Sequence, residues 1–225
     1  MVDENKPTLG YWAIRGLAHQ IRYQLAYCGV DFNDVTYEAG PAPDFSREAW
    51  MSVKFELGLE FPNLPYFIDG KFSCTESAAI MKYIAKKWSP DLLGRNAAEV
   101  AYAEQIFPHV MTLKGGVTGP CYRGSTHEEI IQANTPKLDE LVKYLGDKQW
   151  LCGGLTYVDF IFAELLELLH YVWGDKLWED YPTAKAYRDR FFAIEPIAAY
   201  CSREDFMAKP FNNTMAKIGS ASDME

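Results

Sequence analysis

The ten residues Leu64-Pro-Tyr-Phe-Ile-Asp-Gly-Lys-Phe-Ser73 decide the fold of the N-terminal part of the chain. An Asp-Gly pair between two β-prone runs is a strong hairpin signal, because these residues accept the backbone angles of a tight turn. The segment therefore predicts two short antiparallel strands joined at Asp69-Gly70. Pro65 cannot donate a backbone hydrogen bond, so it is expected at a strand edge or a kink.

The residues before the hairpin predict a strand, a helix and a second strand. The segment from Pro7 to Ala13 is short and rich in apolar and aromatic residues, which is typical of a strand. Apolar residues then recur at helical spacing from Leu17 to Cys28, and Gly29 is placed to end that helix. Asp31 to Ala39 predicts the second strand, and a short helix is expected near residues 45–53.

After the hairpin the pattern becomes helical throughout. Ile80, Met81, Ile84 and Trp88 share one helical face, and residues 89–94 contain the Pro and Gly of a linker. Further helices are predicted near 96–113, 127–146, 157–173 and 183–194. We therefore predict an α/β domain over residues 1–88, a linker over 89–94, and an all-α helical-bundle domain over 95–225.

One helix start is marked by a capping motif in the sequence. Thr156-Tyr-Val-Asp159 has the spacing of a capping box, in which a hydroxyl and a carboxylate bond the free amides of the first turn. We interpret Asp159 as structural rather than catalytic. The helix that follows is apolar almost all round, which predicts that it is the central buried helix of the second domain.

The composition excludes several classes of protein. Among 225 residues, 22 basic side chains oppose 31 acidic ones, giving a net charge of −9, which argues against nucleic acid or an anionic membrane as a partner. Five scattered cysteines have no metal-ligand spacing with the four histidines, so we expect free thiols, no metal site and a cytoplasmic location. The polar N-terminus shows no apolar signal segment, and no run is long enough to span a bilayer.

Three segments are candidates for binding or catalysis, and each also has a purely structural interpretation. The backbone of Leu64, before Pro65, is free to pair with an extended ligand, or Pro65 is an ordinary loop proline. Glu76-Ser77 begins a helix whose free amides suit a carboxylate, or Ser77 merely caps it. Tyr11 ends the first strand, where its phenol faces a cleft or simply packs.

Taken together, these motifs resemble the cytosolic glutathione S-transferases, most closely the mu class, over nearly the whole chain. The segments that carry the resemblance are Leu9-Gly-Tyr-Trp-Ala-Ile-Arg-Gly-Leu-Ala-His-Gln-Ile-Arg22, Ala42-Pro-Asp-Phe-Ser-Arg-Glu-Ala-Trp50, Lys54-Phe55, Leu57-Gly-Leu-Glu-Phe-Pro-Asn-Leu-Pro-Tyr66, Ile68-Asp-Gly70 and Thr156-Tyr-Val-Asp-Phe160. The resemblance implies that the first domain is thioredoxin-like and binds glutathione as a co-substrate, with no cofactor. The helical domain would then contribute the site for a small hydrophobic electrophile.

The resemblance also implies a role for each matching residue. Tyr11 would donate its hydroxyl to the glutathione sulfur, as the catalytic residue. Leu64, before a cis Pro65, would pair with the cysteinyl part of glutathione, and Glu76 and Ser77 would hold its γ-glutamyl end. The remaining matches, which line the glycyl and cysteinyl portions in mu-class relatives, are Trp12, Arg47, Trp50, Lys54 and Asn63.

The chain departs from the mu class in three places, of which the largest lies in the second half. Glu76 stands where that class usually has Gln, Ala13 where it has Asp, and residues 106–122 align only loosely. Gly115-Gly116 is expected to break the helix, with an insertion there. Within this stretch His109, Met111 and Tyr122 are candidates for the electrophile pocket.

Phe61 is an aromatic residue in an exposed loop, and its mu-class counterpart inserts into the neighbouring subunit. We therefore expect a homodimer with Phe61 as its anchor; the alternative is a Phe folded onto its own domain.

The resemblance implies a detoxifying transferase that joins the glutathione thiolate to hydrophobic electrophiles. A non-catalytic carrier of hydrophobic ligands and a glutathione-dependent isomerase or peroxidase are the alternatives.

Overall fold

The computed structural model describes residues 3–224. Its sheet has four strands in the order β2-β1-β3-β4. The strands are β1 (Thr8–Trp12), β2 (Asn33–Tyr37), β3 (Tyr66–Asp69) and β4 (Phe72–Thr75). β1 runs parallel to β2 and antiparallel to β3, and β3 and β4 form the predicted hairpin. The order strand, helix, strand, hairpin is therefore confirmed.

Three helices accompany the sheet, and six more follow it. The first three are α1 (His19–Tyr27), α2 (Glu48–Met51) and α3 (Ser77–Trp88). The others are α4 (Ala97–Arg123), α5 (His127–Leu145), α6 (Tyr157–Trp173), α7 (Lys176–Asp180), α8 (Pro182–Phe192) and α9 (Glu195–Cys201). None of the helices between residues 3 and 224 is long and apolar enough to cross a membrane.

The boundaries differ from the prediction in two places. Pro90–Leu93, predicted as a linker, forms a 3-10 helix. Two short helices, α7 and α9, were not predicted, because neither is long enough to show a helical repeat of apolar residues.

The predicted break at Gly115-Gly116 is wrong. α4 continues through both glycines and through Pro108 and Pro120 to Arg123, and ends at Gly124, which has a φ of +81°. At Gly116 a Cβ atom would lie 2.2 Å from the amide oxygen of Asn134 on α5. The glycine therefore allows the two helices to pack closely, and the Asn134 amide donates to the Gly116 carbonyl at 3.0 Å.

The capping box at the start of α6 is confirmed, and it is more extensive than predicted. The buried Asp159 carboxylate accepts from the Thr156 amide at 2.7 Å and from the Leu151 amide at 2.9 Å. It also accepts from the Tyr187 hydroxyl at 2.8 Å, which connects α6 to α8. Asp159 thus joins the helix start, the preceding loop and a neighbouring helix in the centre of the helical core.

Replacing Asp159 with alanine is expected to destabilise the fold without touching the site described below. Asp159→Ala leaves two buried amides and a hydroxyl without an acceptor, so we expect a loss of about 3 kcal/mol in the free energy of unfolding. Urea unfolding at one protein concentration measures this loss. Asp147→Ala, an exposed aspartate before the same loop, is the control and should change stability by less than about 0.5 kcal/mol. Equal effects would remove Asp159 from this role.

Candidate functional site

The register of the sheet brings three predicted site segments to one edge. Gly10 of β1 lies opposite Tyr66 of β3, and Tyr66 lies opposite Thr75 of β4. The residues just beyond these positions are Tyr11, the Leu64-Pro65 pair and the Glu76-Ser77 pair. Tyr11 therefore lies near residues that are 53 to 66 positions later in the chain, because the three short strands end at the same side of the sheet.

Two of these segments have unusual backbone geometry. The Leu64-Pro65 peptide bond is cis, as the resemblance implied. Glu76 is exposed and has a φ of +71°, a left-handed value that is strained for a residue with a side chain. It directly precedes Ser77, the first residue of α3, so the strained residue lies beside the free amides of a helix start.

The Tyr11 hydroxyl has a defined hydrogen-bond partner. It accepts from the backbone amide of Leu17 at 3.2 Å, in the turn that joins β1 to α1. Because the oxygen is the acceptor there, its own hydrogen remains available to another group. Gly16 makes this approach feasible: it has a φ of +42°, and a Cβ there would lie 2.8 Å from the Tyr11 hydroxyl oxygen.

Burial keeps the Tyr11 phenol protonated. Removal from water raises the pKa of Tyr11 to about 12, and the Leu17 amide offsets only part of that effect. At neutral pH the group is therefore a hydrogen-bond donor rather than a phenolate.

The other residues predicted to bind glutathione differ in exposure. Trp50 is buried and stacks on Tyr66 at 6.0 Å between ring centroids, and Trp12 and Leu64 pack against the same small cluster. Asn63 and Arg47 are exposed, while Lys54 is half-buried beside the ring of Phe55. Within residues 3–224, neither Arg47 nor Lys54 forms an ion pair.

A cavity of about 260 Å³ lies on the helical side of Tyr11. Its wall comes from β1 and the following turn, from α4 and α6, and from the segment near the C-terminus. The lining residues are Tyr11, Ile14, Gly16, Leu17, Met111, Lys114, Gly115, Thr118, Tyr122, Glu164, Leu168, Phe211 and Asn212. The structure thus brings two of the predicted pocket residues, Met111 and Tyr122, to the same cavity as Tyr11.

The third candidate, His109, lies elsewhere, and this corrects the prediction. Its ring is on the side of α4 that faces α5, where Nδ1 lies 2.9 Å from the Lys137 ammonium and 3.7 Å from the Glu140 carboxylate. The physical reason is helical spacing: His109 lies two residues before Met111, so the two side chains point about 200° apart around the axis.

Lys114 is a cavity residue that the sequence analysis missed. It lies on the buried face of α4, in line with Ile106, Val110, Val117 and Cys121. The available signal was a lysine that interrupts an apolar stripe, which an uninterrupted helix through Gly115 would have made visible. Separately, no group of three or more metal-ligating side chains occurs between residues 3 and 224.

Comparison with known proteins identifies the family. Residues 7–86 match the glutathione S-transferase N-terminal domain, and residues 123–204 match the C-terminal domain. Human glutathione S-transferase Mu 3 is 37% identical over 225 residues, covering 98% of each chain. The chain belongs to the glutathione S-transferase family.

Two further relatives agree with this assignment. Mouse glutathione S-transferase Mu 5 is 37% identical to this transferase over 217 residues, covering 94% of this chain and 95% of the relative. The crystal structure of the glutathione S-transferase Blo t 8 superposes with a TM-score of 0.78 at 31% identity, covering 94% of this chain and 99% of that one. The predicted mu-class resemblance, the two-part fold and the transferase activity of the family are thus confirmed.

The protonation of Tyr11 in this transferase can be tested directly. At a pH of about 10.5 an ordinary phenol with a pKa near 10 is about three-quarters ionised, whereas a phenol with a pKa of about 12 is almost entirely neutral. The ultraviolet absorbance of tyrosinate should therefore be nearly the same in the wild type and in Tyr11→Phe at this pH. If the wild type shows more absorbance than Tyr11→Phe by about the amount that one ionised tyrosine contributes, the burial argument is contradicted. Circular dichroism checks that both proteins are folded at this pH.

Proposed function

We propose that this transferase joins the thiolate of glutathione to small hydrophobic electrophiles, by substitution or by addition to an activated double bond. The observation that carries the proposal is the position of the Tyr11 hydroxyl. It accepts a hydrogen bond from the Leu17 amide, and Tyr11 lines a largely apolar cavity. A nucleophile held at this hydroxyl would have its electrophile in the adjoining cavity, and such proximity is a large part of catalytic power.

Tyr11 would act by stabilising the ionised sulfur. A free thiol has a pKa near 8.5, and each unit of lowering requires about 1.4 kcal/mol of preference for the anion. A hydrogen bond to a charged acceptor contributes about 1.5–3 kcal/mol, so one phenol would lower the thiol pKa by about one to two units. The reactive thiolate would then be well populated near neutral pH.

The remaining site residues would hold the tripeptide along the edge of the sheet. The Leu64 backbone, exposed by the cis bond to Pro65, would pair with the cysteinyl unit like an added strand. Glu76 and Ser77 would hold the γ-glutamyl end, where the α3 amides favour its carboxylate. The residues proposed for the glycyl and cysteinyl portions are Trp12, Arg47, Trp50, Lys54 and Asn63.

Residues 1–88 would thus form the glutathione-binding domain and residues 95–225 the electrophile-binding domain, with 89–94 between them. Met111 and Tyr122 would line the electrophile pocket. The Tyr122 hydroxyl accepts from the Asn213 amide at 2.8 Å, so its own hydrogen is available to a bound electrophile. The five cysteines are all unpaired, which fits a reducing, cytoplasmic location.

A homodimer is part of the proposal. Phe61 is 75% exposed, the highest exposure among the large apolar side chains of residues 3–224. An aromatic ring in water at a loop tip is well suited to insertion into a partner pocket.

The function is tested by titrating the thiolate absorbance of glutathione bound to the wild type and to Tyr11→Phe. We expect a bound thiol pKa one to two units below the free value in the wild type, restored in the variant, with turnover reduced by about tenfold or more. Tyr181→Phe, which loses a hydroxyl bonded to Asp139 far from the cavity, is the matched control and should behave like the wild type. Normal ionisation of glutathione in the wild type would favour the ligand-carrier alternative.

The dimer is tested by replacing the exposed ring. Phe61→Ser should weaken self-association, because a serine cannot fill an apolar partner pocket; light scattering of dilute samples measures the mass. Met51→Ser, which also removes an exposed apolar side chain, should leave the mass unchanged. A dimer of equal strength in both variants would reject Phe61 as the anchor.

A further inference from the structure

A buried lysine, Lys114, lines the cavity beside Tyr11. Lys114 is 6% exposed, and its Nζ donates to the Gly16 carbonyl at 3.0 Å and to the Gln20 amide oxygen at 2.6 Å. Within residues 3–224 the ammonium therefore has two acceptors for three N–H groups, and both acceptors are neutral.

The charges around Lys114 do not neutralise it. Glu164 of α6 forms an ion pair with Arg15, at 2.6 Å between Oε2 and Nη2, so that its charge is already matched. His19 of α1 is buried, and burial together with the nearby cations lowers its pKa, so the imidazole is neutral. The phenols of Tyr11 and Tyr122 are also neutral, since burial raises both pKa values.

An unpaired buried cation is unfavourable, and groups with perturbed pKa values cluster at functional sites. Burial is the main cause that lowers the pKa of Lys114 to about 8. The Glu164 carboxylate raises this pKa, and the Arg15 guanidinium lowers it further. An electrophile that acquires negative charge in the cavity would supply the missing counter-charge. The gain would appear as the charge develops, which is the condition for faster chemistry rather than tighter substrate binding.

We propose that Lys114 is a catalytic residue that stabilises the oxyanion formed when glutathione adds to a conjugated carbonyl compound. This inference rests on the proposed function, and it adds a catalytic residue to the same cavity. The apolar walls, which include Ile14, Leu168 and Phe211, would hold the hydrocarbon body. The ammonium would hold the carbonyl oxygen.

The electron flow in this step is balanced. The sulfur of the thiolate forms a bond to the β-carbon, the carbon–carbon π pair shifts toward the carbonyl, and the carbonyl oxygen becomes an enolate oxygen hydrogen-bonded to Nζ. The α-carbon then takes a proton from the ammonium, and the resulting amine recovers one from water. The thiol releases its own proton to solvent when the thiolate forms, and that proton neutralises the hydroxide left by the water. The net result is therefore addition of the thiol across the double bond, with no oxidant or reductant.

The test compares two electrophiles that share a phenyl ring. Benzylideneacetone develops an enolate on addition, whereas benzyl chloride loses chloride and develops no oxyanion. For Lys114→Met we expect kcat/KM to fall by about 100-fold with benzylideneacetone, the size of effect seen when one oxyanion donor is removed. The loss with benzyl chloride should be at least tenfold smaller. Lys143→Met, an exposed lysine on α5, is the matched control.

The wild-type pH profile provides a second readout that needs no variant. With benzylideneacetone, kcat/KM should rise as glutathione ionises and then fall above a pH of about 8, because Lys114 loses its proton there. With benzyl chloride only the rise is expected. Neither phenol accounts for a fall near this pH, because both have raised pKa values.

The outcomes separate this inference from the proposed function. Equal losses with both electrophiles in folded Lys114→Met, or profiles of the same shape, would overturn the role of Lys114 and leave glutathione transfer intact. A wild type that turns over neither electrophile would overturn both. Selective loss with benzylideneacetone, together with its falling limb, would establish the ammonium as the oxyanion donor.

Discussion

The buried ion pair between Arg15 and Glu164 is the constraint on which the site depends. Arg15 lies in the turn after β1, and Glu164 lies in the middle of α6, almost 150 residues away. The guanidinium meets both carboxylate oxygens, at 3.1 Å from Nε and 2.6 Å from Nη2. It also donates to the Tyr23 hydroxyl and the Ala208 carbonyl. Burying two charges is costly, but here almost every donor is matched, so that the pair fixes one arrangement of the sheet against the helices.

The same turn supplies the other contacts that shape the cavity. The amides of Arg15 and Gly16 donate to the carbonyls of Pro210 and Phe211, which holds the C-terminal segment over the turn. The Leu17 amide holds the Tyr11 hydroxyl, and the Gly16 carbonyl holds the Lys114 ammonium. Three consecutive residues in this turn, Arg15 to Leu17, therefore position the phenol, the ammonium and one wall of the cavity. A shift of this turn would move all three together.

The sequence predicted those features that arise from local chemistry. The Asp69-Gly70 hairpin and the Thr156-Asp159 capping box are found where the residues predict them, because each depends on backbone geometry within a few positions. The path of α4 was not predictable in this way: Gly115-Gly116 breaks an isolated helix, but in the protein Gly116 permits contact with Asn134 of a different helix. His109 lies away from the cavity for a local reason: it is two positions before Met111 on one continuous helix, so the two side chains point in different directions. Tertiary contact decided the path of α4.

Local rules are broken mainly where the site lies. Glu76 has a left-handed backbone at the start of α3, Lys114 puts a charge on an apolar stripe, and Gly115 weakens the helix beside it. Each of these would be unfavourable in an ordinary core. Lys114 and Gly115 line one cavity, and Glu76 lies outside it at the end of β4. The surrounding framework, above all the Arg15–Glu164 pair and the Asp159 network, supplies stability that offsets these unfavourable features. The well-satisfied buried polar groups thus fix the geometry around Lys114, whose ammonium has fewer acceptors than N–H groups within residues 3–224.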